Sequence, residues 1–387
     1  MEQSQTVKIA QTYSIHHILT LFALLALLIV SNLYIMIPLL ENVSDTYTIS
    51  TSEASLSISV FSFFYACGLI FFGTLSERFG LKETICSGLA MLIILMLACF
   101  FINSFLLFII LRGIQGFWAA SFAPVSFIYV LNVLEEKHQT ITIAVINTGF
   151  LSAGVFGQLL SSTVNIVFSW QAIFATLALL YFVLLIYAIK KLPRPSKSNH
   201  PKSIGNIIKV LAKLPFQPRL KRFYFITFTI LLSFVAYYTA LESYFTHELQ
   251  LSATNALMIR GFGLVGLLLT IFFEKITNRI GYVNAVIAGL TLQLIGLACS
   301  VSQNIYVITL GSMIFVAGVA IVIPAIIQLI GKNGAGQRTY AISLYSFILL
   351  LGASVGSTII LIPNYFLKLT VLAALLSFSL LAAFREK

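Results

Sequence analysis

Charge is what this sequence has least of. Only 9% of its 387 residues are Asp, Glu, Lys or Arg, against roughly a quarter in a soluble globular domain. That shortage excludes an ordinary water-facing surface. Acid is scarcer still, with 12 residues against 23 basic ones. Cysteine is confined to Cys67, Cys86, Cys99 and Cys299, all within apolar runs and without metal-ligand spacing. Neither a disulfide framework nor a metal site is expected from them. The few polar residues form no nucleophile–base set and no phosphate-binding loop, so an enzyme is disfavoured and no cofactor is predicted. The net charge of +11 does not mark a nucleic-acid reader, because the basic residues sit between apolar runs and share no face.

What is present is hydrocarbon. Apolar residues make up 59% of the chain and the mean hydropathy is +1.00, so the main solvent of this protein is lipid. A membrane crossing needs about 20 apolar residues. Charges and turn residues mark off twelve such runs: 18–40, 54–72, 84–102, 104–133, 140–164, 170–189, 223–245, 253–273, 282–300, 305–330, 339–361 and 364–384. The first is too long for the apolar region of a cleaved signal and reads as span one. The expected class is an all-α membrane protein of twelve transmembrane helices, organised as 1–189, a basic linker 190–222, and 223–387.

The basic residues orient these spans. With the N-terminus inside, the inner loops and termini hold 20 of the 23. They are Lys8, Arg78, Lys82, Lys137, Lys275, Arg279, Lys332, Arg338, Arg385, Lys387 and ten in the central linker. Arg112 and Arg260 lie inside spans, and Lys368 alone is left outside. This asymmetry follows the positive-inside rule and puts both termini in the cytoplasm, at the inner cell membrane. Within the linker, Ile204, Ile207, Ile208, Leu211 and Leu214 recur at helical spacing. Two readings stay open there, an amphipathic helix on the inner leaflet and a solvated connector.

The two halves repeat. The string FGTLSERFG ending at Gly80 aligns with FEKITNRIG ending at Gly281, Pro124 with Pro324, and Gly157 with Gly356, at offsets of 201, 200 and 199 residues. Two six-span halves of like orientation imply a parallel repeat, with a site at their interface, as in transporters.

The loop after span two carries Gly73, Glu77, Arg78, Gly80 and Lys82. This segment resembles the signature of the major facilitator superfamily, departing from it at Leu81, where an arginine is usual. The resemblance extends over nearly the whole chain through span count, repeat and linker. It implies that these residues gate the two halves. In span four, Arg112, Gln115 and Gly116 form R-x-x-Q-G, similar to a second signature of the family's proton-linked exporters, which implies a proton-coupling role for Arg112. A structural arginine bonded to backbone carbonyls is the alternative, since a charge within hydrocarbon must find a partner. Span five spaces Gly149, Ala153 and Gly157 by four residues, with Gly154 beside them, a close-packing pattern. It is similar to the family's antiporter signature but has Val155 and Gln158 in place of proline and glycine. Gly352 and Gly356 of span eleven are its expected packing partners.

Glu242, near the outer end of span seven, is the candidate proton carrier, with a fixed Glu242–Arg260 pair as the alternative. By the family's analogy, spans one, four, seven and ten line the substrate cavity, which nominates Asn32, Tyr34, Gln115, Trp118, Tyr237, Tyr238 and Gln328. The expectation is a monomeric, proton-driven exporter of a small organic molecule. An uptake symporter and a non-transporting membrane sensor or scaffold are the alternatives.

Overall fold

The computed structural model describes residues 15–194, 213–218, 220–250, 259, 261–302, 304–334, 337–356, 359, 362 and 364–386. The side chains of Thr51, Ser52, Glu77, Glu136, Lys137, Glu242, Thr246 and His247 lie outside that description. Among the described residues the regular structure is helical, without a strand. The chain divides into two compact units, Met1–Ser203 and Ile204–Lys387.

Among the described residues ten helices are long and apolar enough to cross a membrane, and Ile15–Ser31 adds a shorter apolar one. The run Gly261–Cys299 covers 39 residues, which as one helix would extend about 58 Å, roughly twice the hydrocarbon thickness. It is broken at Gly281, whose φ of 80° is not helical, and so supplies spans eight and nine. The set is consistent with twelve crossings.

Several expected boundaries move, each for a physical reason. Span one does not run unbroken to residue 40. Its helix ends at Ser31, an irregular stretch follows, and the chain resumes as a 3₁₀ turn, Ile37–Leu39, and a helix, Leu40–Tyr47. Pro38 lacks an N–H, and its ring crowds the carbonyl four residues earlier, at Tyr34, which disfavours continuous helix there. Span four divides in the same way into Phe105–Ala119 and Ala123–Val133, with the break beginning four residues before Pro124. Pro324, its counterpart in span ten, lies inside the helix Ile305–Asn333. Span seven, Lys221–Ser243, ends in a π-helical turn, Tyr244–Glu248.

The expected loop after span two is also corrected. Its helix, Leu56–Phe79, carries Gly73, Glu77 and Arg78, and the next helix starts at Leu81. The connection is therefore Gly80 alone, at φ 103° and ψ 145°, a conformation that residues with a Cβ avoid. Gly281 occupies the matching position of the second unit with the same sign of φ.

Each unit pairs its spans in one pattern. Span one packs on five, two on four and three on six; seven packs on eleven, eight on ten and nine on twelve. The small-residue spacing in span five is explained by the first of these pairs. A Cβ on Gly149 would lie 2.8 Å from the Ala26 Cβ, and one on Gly157 would lie 2.9 Å from the Ser31 carbonyl. Ala153 meets the same seam, where its carbonyl accepts from Ser31 Oγ at 3.4 Å. Gly352 and Gly356 abut Phe228 and Leu232 of span seven. Within its own unit, then, span five meets span one, and span eleven meets span seven. Small residues create closeness, and the repeat decides the partner.

The helices of spans six and seven, Ala172–Lys191 and Lys221–Ser243, reach into both ends of the expected 190–222 linker. Ile204, Ile207, Ile208 and Leu211 lie outside the described residues.

Candidate functional site

Arg112 is fully buried in the first unit. An unpaired guanidinium there would cost several kcal/mol. Its partners come from three spans. Nε donates to the Ser57 carbonyl at 3.2 Å, one terminal nitrogen to Gln115 Oε1 at 2.8 Å, and the other to the Asn32 carbonyl at 2.9 Å. The carbon of the guanidinium sits 4.3 Å from the centre of the Phe61 ring, a cation–π contact. Among the described side chains no carboxylate joins this set. The positive charge is met instead by the end of a helix. Span one stops at Ser31; the turn that follows takes up the carbonyls of Ile29, Val30 and Ser31, and the Asn32 carbonyl, just past the negative end of the helix dipole, goes to Arg112. The break above Pro38 is what frees the Asn32 carbonyl for Arg112.

The network continues outward. Gln115 Nε2 donates to the Leu95 carbonyl at 3.1 Å and to Cys99 Sγ at 3.2 Å on span three. Asn32 Nδ2 donates to the Tyr181 hydroxyl, which itself donates to the Leu28 carbonyl at 2.9 Å. Spans one, two, three, four and six therefore meet around one cation. Asn32 Oδ1 is the buried atom left without a partner. Sequence reasoning found Arg112, Gln115 and Asn32 but missed Phe61, Ser57 and Tyr181. Two of those act through a ring face or a carbonyl, which no residue type advertises. Tyr181, a hydroxyl within an apolar run, was the one readable signal.

Other nominated residues fall elsewhere. The Tyr34 ring lies 3.7 Å from where a Cβ on Gly154 would be. Trp118 rests against Phe72, with ring centres 5.2 Å apart. In the second unit Tyr237 bonds Ser300 Oγ at 2.6 Å and stacks on Phe315 at 4.4 Å. Tyr238 is buried with its ring edge to Phe234. Gln328 is buried with neither amide atom bonded, and so is Gln293 of span nine, which sequence reasoning did not single out. The Glu242 side chain and Arg260 lie outside the described residues.

The motif residues near Gly80 show two behaviours. Arg78 is exposed. Lys82 is buried and donates from Nζ to the carbonyls of Ile189 and Leu192, both at 2.7 Å, capping the end of span six. In this geometry Lys82 fastens spans three and six of its own unit. Arg194 Nε reaches Glu83 at 3.3 Å across an exposed surface, a weak restraint.

The family model of the Major Facilitator Superfamily matches residues 19–357. The chain belongs to this superfamily. Its fold, its multi-pass membrane character and its class as a transporter of small molecules rather than an enzyme follow from that membership. An uncharacterized transporter of Buchnera aphidicola is 25% identical over 85% of this chain and 80% of the relative. The uncharacterized MFS-type transporter YybF of Bacillus subtilis is 25% identical over 84% of this chain and 81% of its own length. The multidrug resistance protein MdtL of Escherichia coli is 26% identical over a shorter stretch, 36% of this chain and 37% of MdtL. Among solved structures, the human organic anion transporter MFSD10 (TETRAN) superposes with a TM-score of 0.76 at 15% identity, covering 96% of this chain and 99% of that one. FucP in the outward conformation gives 0.76 at 15% identity, covering 96% and 98%. At such identities these likenesses speak for the fold alone.

Proposed function

We propose that this facilitator is a proton-coupled exporter of a small organic molecule, working as a monomer by alternating access in the inner cell membrane with both termini cytoplasmic. The observation that carries the reading is the fully buried Arg112 of the R-x-x-Q-G segment; its bonds to two carbonyls and an amide are also those of a structural arginine, and proton-driven flux in Arg112→Lys tells the two roles apart. Among the described side chains no carboxylate stands beside Arg112, so its charge is open to a change of protonation at a nearby group. Glu242 is the proposed proton carrier. The likeness to MdtL over part of the chain supports export. Substrate-panel efflux from cells expressing the protein, with and without a protonophore, tests the reading. Extrusion that collapses with the protonophore is the expected result, and extrusion indifferent to it removes proton coupling.

One observation favours uptake on the same fold. Span five is a single helix, Glu136–Val167. Val155 stands where the antiporter signature has proline, and Gln158 donates to the Gly154 carbonyl at 2.7 Å within that helix. Accumulation rather than depletion of solute in the same cells would decide for a symporter.

A further inference from the structure

The last turn of span one is stitched by a residue from another helix. Beyond Ser31 the Asn32 N–H turns to the Ile29 carbonyl at 3.3 Å, a tighter turn than the helix before it. The Leu28 carbonyl, four residues before Asn32, takes the hydroxyl of Tyr181 at 2.9 Å. Tyr181 is fully buried on span six, Ala172–Lys191. Its one hydroxyl proton is spent on Leu28, so the Asn32 amide meets the same oxygen as a donor, through Nδ2. A single hydroxyl therefore ties residues 28 and 32 together. Among the described residues it is also all that holds the Asn32 side chain, whose Oδ1 is buried without a partner.

The main chain of that asparagine in turn holds Arg112. Of the three oxygens that accept from the guanidinium, the Ser57 carbonyl belongs to the helix Leu56–Phe79, and Gln115 stands on the helix of Arg112 itself. Both are fixed by regular helix. The Asn32 carbonyl lies in the irregular stretch 32–36 and has no such frame. Its place depends on what grips Asn32.

The second unit supplies a comparison. Gly157 abuts Ser31 as Gly356 abuts Leu232, which sets Ser233 in the place of Asn32. The buried faces of spans six and twelve coincide at an offset of 195 residues, from Ile173 on Lys368 to Ala188 on Ala383. That sets Leu376 in the place of Tyr181. Ser233 spends its hydroxyl on the Ile230 carbonyl of its own helix at 2.8 Å. Where Ser312 replaces the arginine, the asparagine and the tyrosine are gone as well.

We propose that Tyr181 is a positioning residue for Arg112: by gripping Asn32 it sets the carbonyl that the guanidinium uses, and through it the coupling of proton to solute movement. The coupling half of this rests on the proton-linked reading above; the positioning half does not.

Tyr181→Phe removes the hydroxyl and keeps the ring, and two measurements on the full chain test it. In proteoliposomes the number of protons moved per solute should fall by about 2- to 10-fold, the worth of one hydrogen bond. A merely structural bond would lower proton and solute movement together and leave that ratio alone. In detergent, Tyr181→Phe should lower Tm in the wild type and lower it less in an Arg112→Met background, because the two residues act through one carbonyl. Equal Tm shifts in the two backgrounds overturn the positioning. An unchanged ratio, in a wild type that does move protons, overturns the part played in coupling. A wild type that moves no protons with solute sinks the proton-linked reading, and unequal Tm shifts then leave the positioning standing. If Tyr181→Phe does not fold, Asn32→Ala breaks the same bond from the other side and decides by the same two measurements.

Discussion

The two units share one backbone plan and differ in what they bury. In the first, the crossing of spans one, two and four encloses Arg112, and nearly every polar atom around it is bonded. Two hundred residues on, Ser312 takes the place of Arg112 and Phe315 that of Gln115. Gly263 of span eight packs there against the hydroxyls of Tyr238 and Ser312. Among the described side chains the second unit is neutral at that crossing, and Gln293 and Gln328 are buried with unbonded amides. A buried charge demands a completed shell, whereas neutral amides tolerate an incomplete one at about 1–3 kcal/mol each. The repeat therefore fixes helix packing in both units and leaves the electrostatics of this crossing free to specialise, with a charged, bonded network in the first and, among the described side chains, neutral and less fully bonded groups in the second.

The largest expected effect comes from removing the charge. Arg112→Ala strands the Asn32 and Ser57 carbonyls and the Gln115 amide, and should lower stability by about 3–5 kcal/mol along with loss of proton-driven flux, while solute still exchanges down its own gradient. Thermal unfolding in detergent and proteoliposome transport read the two losses separately. Arg112→Lys offers one point charge to acceptors spread across three spans and should recover only part of either.

The contrast between satisfied and orphaned amides can be tested with one substitution in each unit. Gln115→Leu breaks bonds to Arg112, Leu95 and Cys99 and should destabilise by about 1–3 kcal/mol, whereas Gln293→Leu removes an amide with no partner and should be neutral or stabilising by a similar amount. Equal losses in both would show that the second unit's interior is no looser than the first.

Gly80 and Gly281 test the likeness of the units rather than their difference. Both hold positive φ at the joint between consecutive spans, so Gly80→Ala and Gly281→Ala should each cost about 1–3 kcal/mol of unfolding free energy. The smallest effect belongs to Glu53. Its carboxylate accepts from Ser50 N at 2.9 Å and from Ser50 Oγ at 2.7 Å, and Glu53 N bonds back to Ser50 Oγ, forming a reciprocal capping box before span two. The Ser50 backbone bond, then the hydroxyl, hold its pKa below the ordinary 4.5. A depressed carboxylate stabilises the fold above that ordinary value and loses the contribution as pH falls through its folded value. The stability gap between wild type and Glu53→Gln should accordingly be small at neutral pH and close on acidification below about 4.5.

Much of this architecture was legible in the residues. Hydrophobic runs marked the spans, and the Gly80–Gly281 and Pro124–Pro324 pairs marked the repeat. Arg112 and Gln115, three residues apart, were readable as one face. What could not be read were partners distant in the chain. The carbonyls that hold Lys82 are 107 and 110 residues away, and Tyr181 meets Asn32 across 149. Four-residue spacing announced that span five packs closely but not that span one is what it packs on. Span one was read unbroken across Pro38, and only the fold shows the break there and the Asn32 carbonyl turned to use against Arg112.

The account stands most directly on proton movement measured alongside solute flux in proteoliposomes, comparing wild type, Arg112→Ala and Gln293→Leu. It predicts that wild type and Gln293→Leu move protons with solute, while Arg112→Ala still exchanges solute down its gradient and moves no protons with it. Undiminished proton movement in Arg112→Ala would contradict the coupling role given to Arg112.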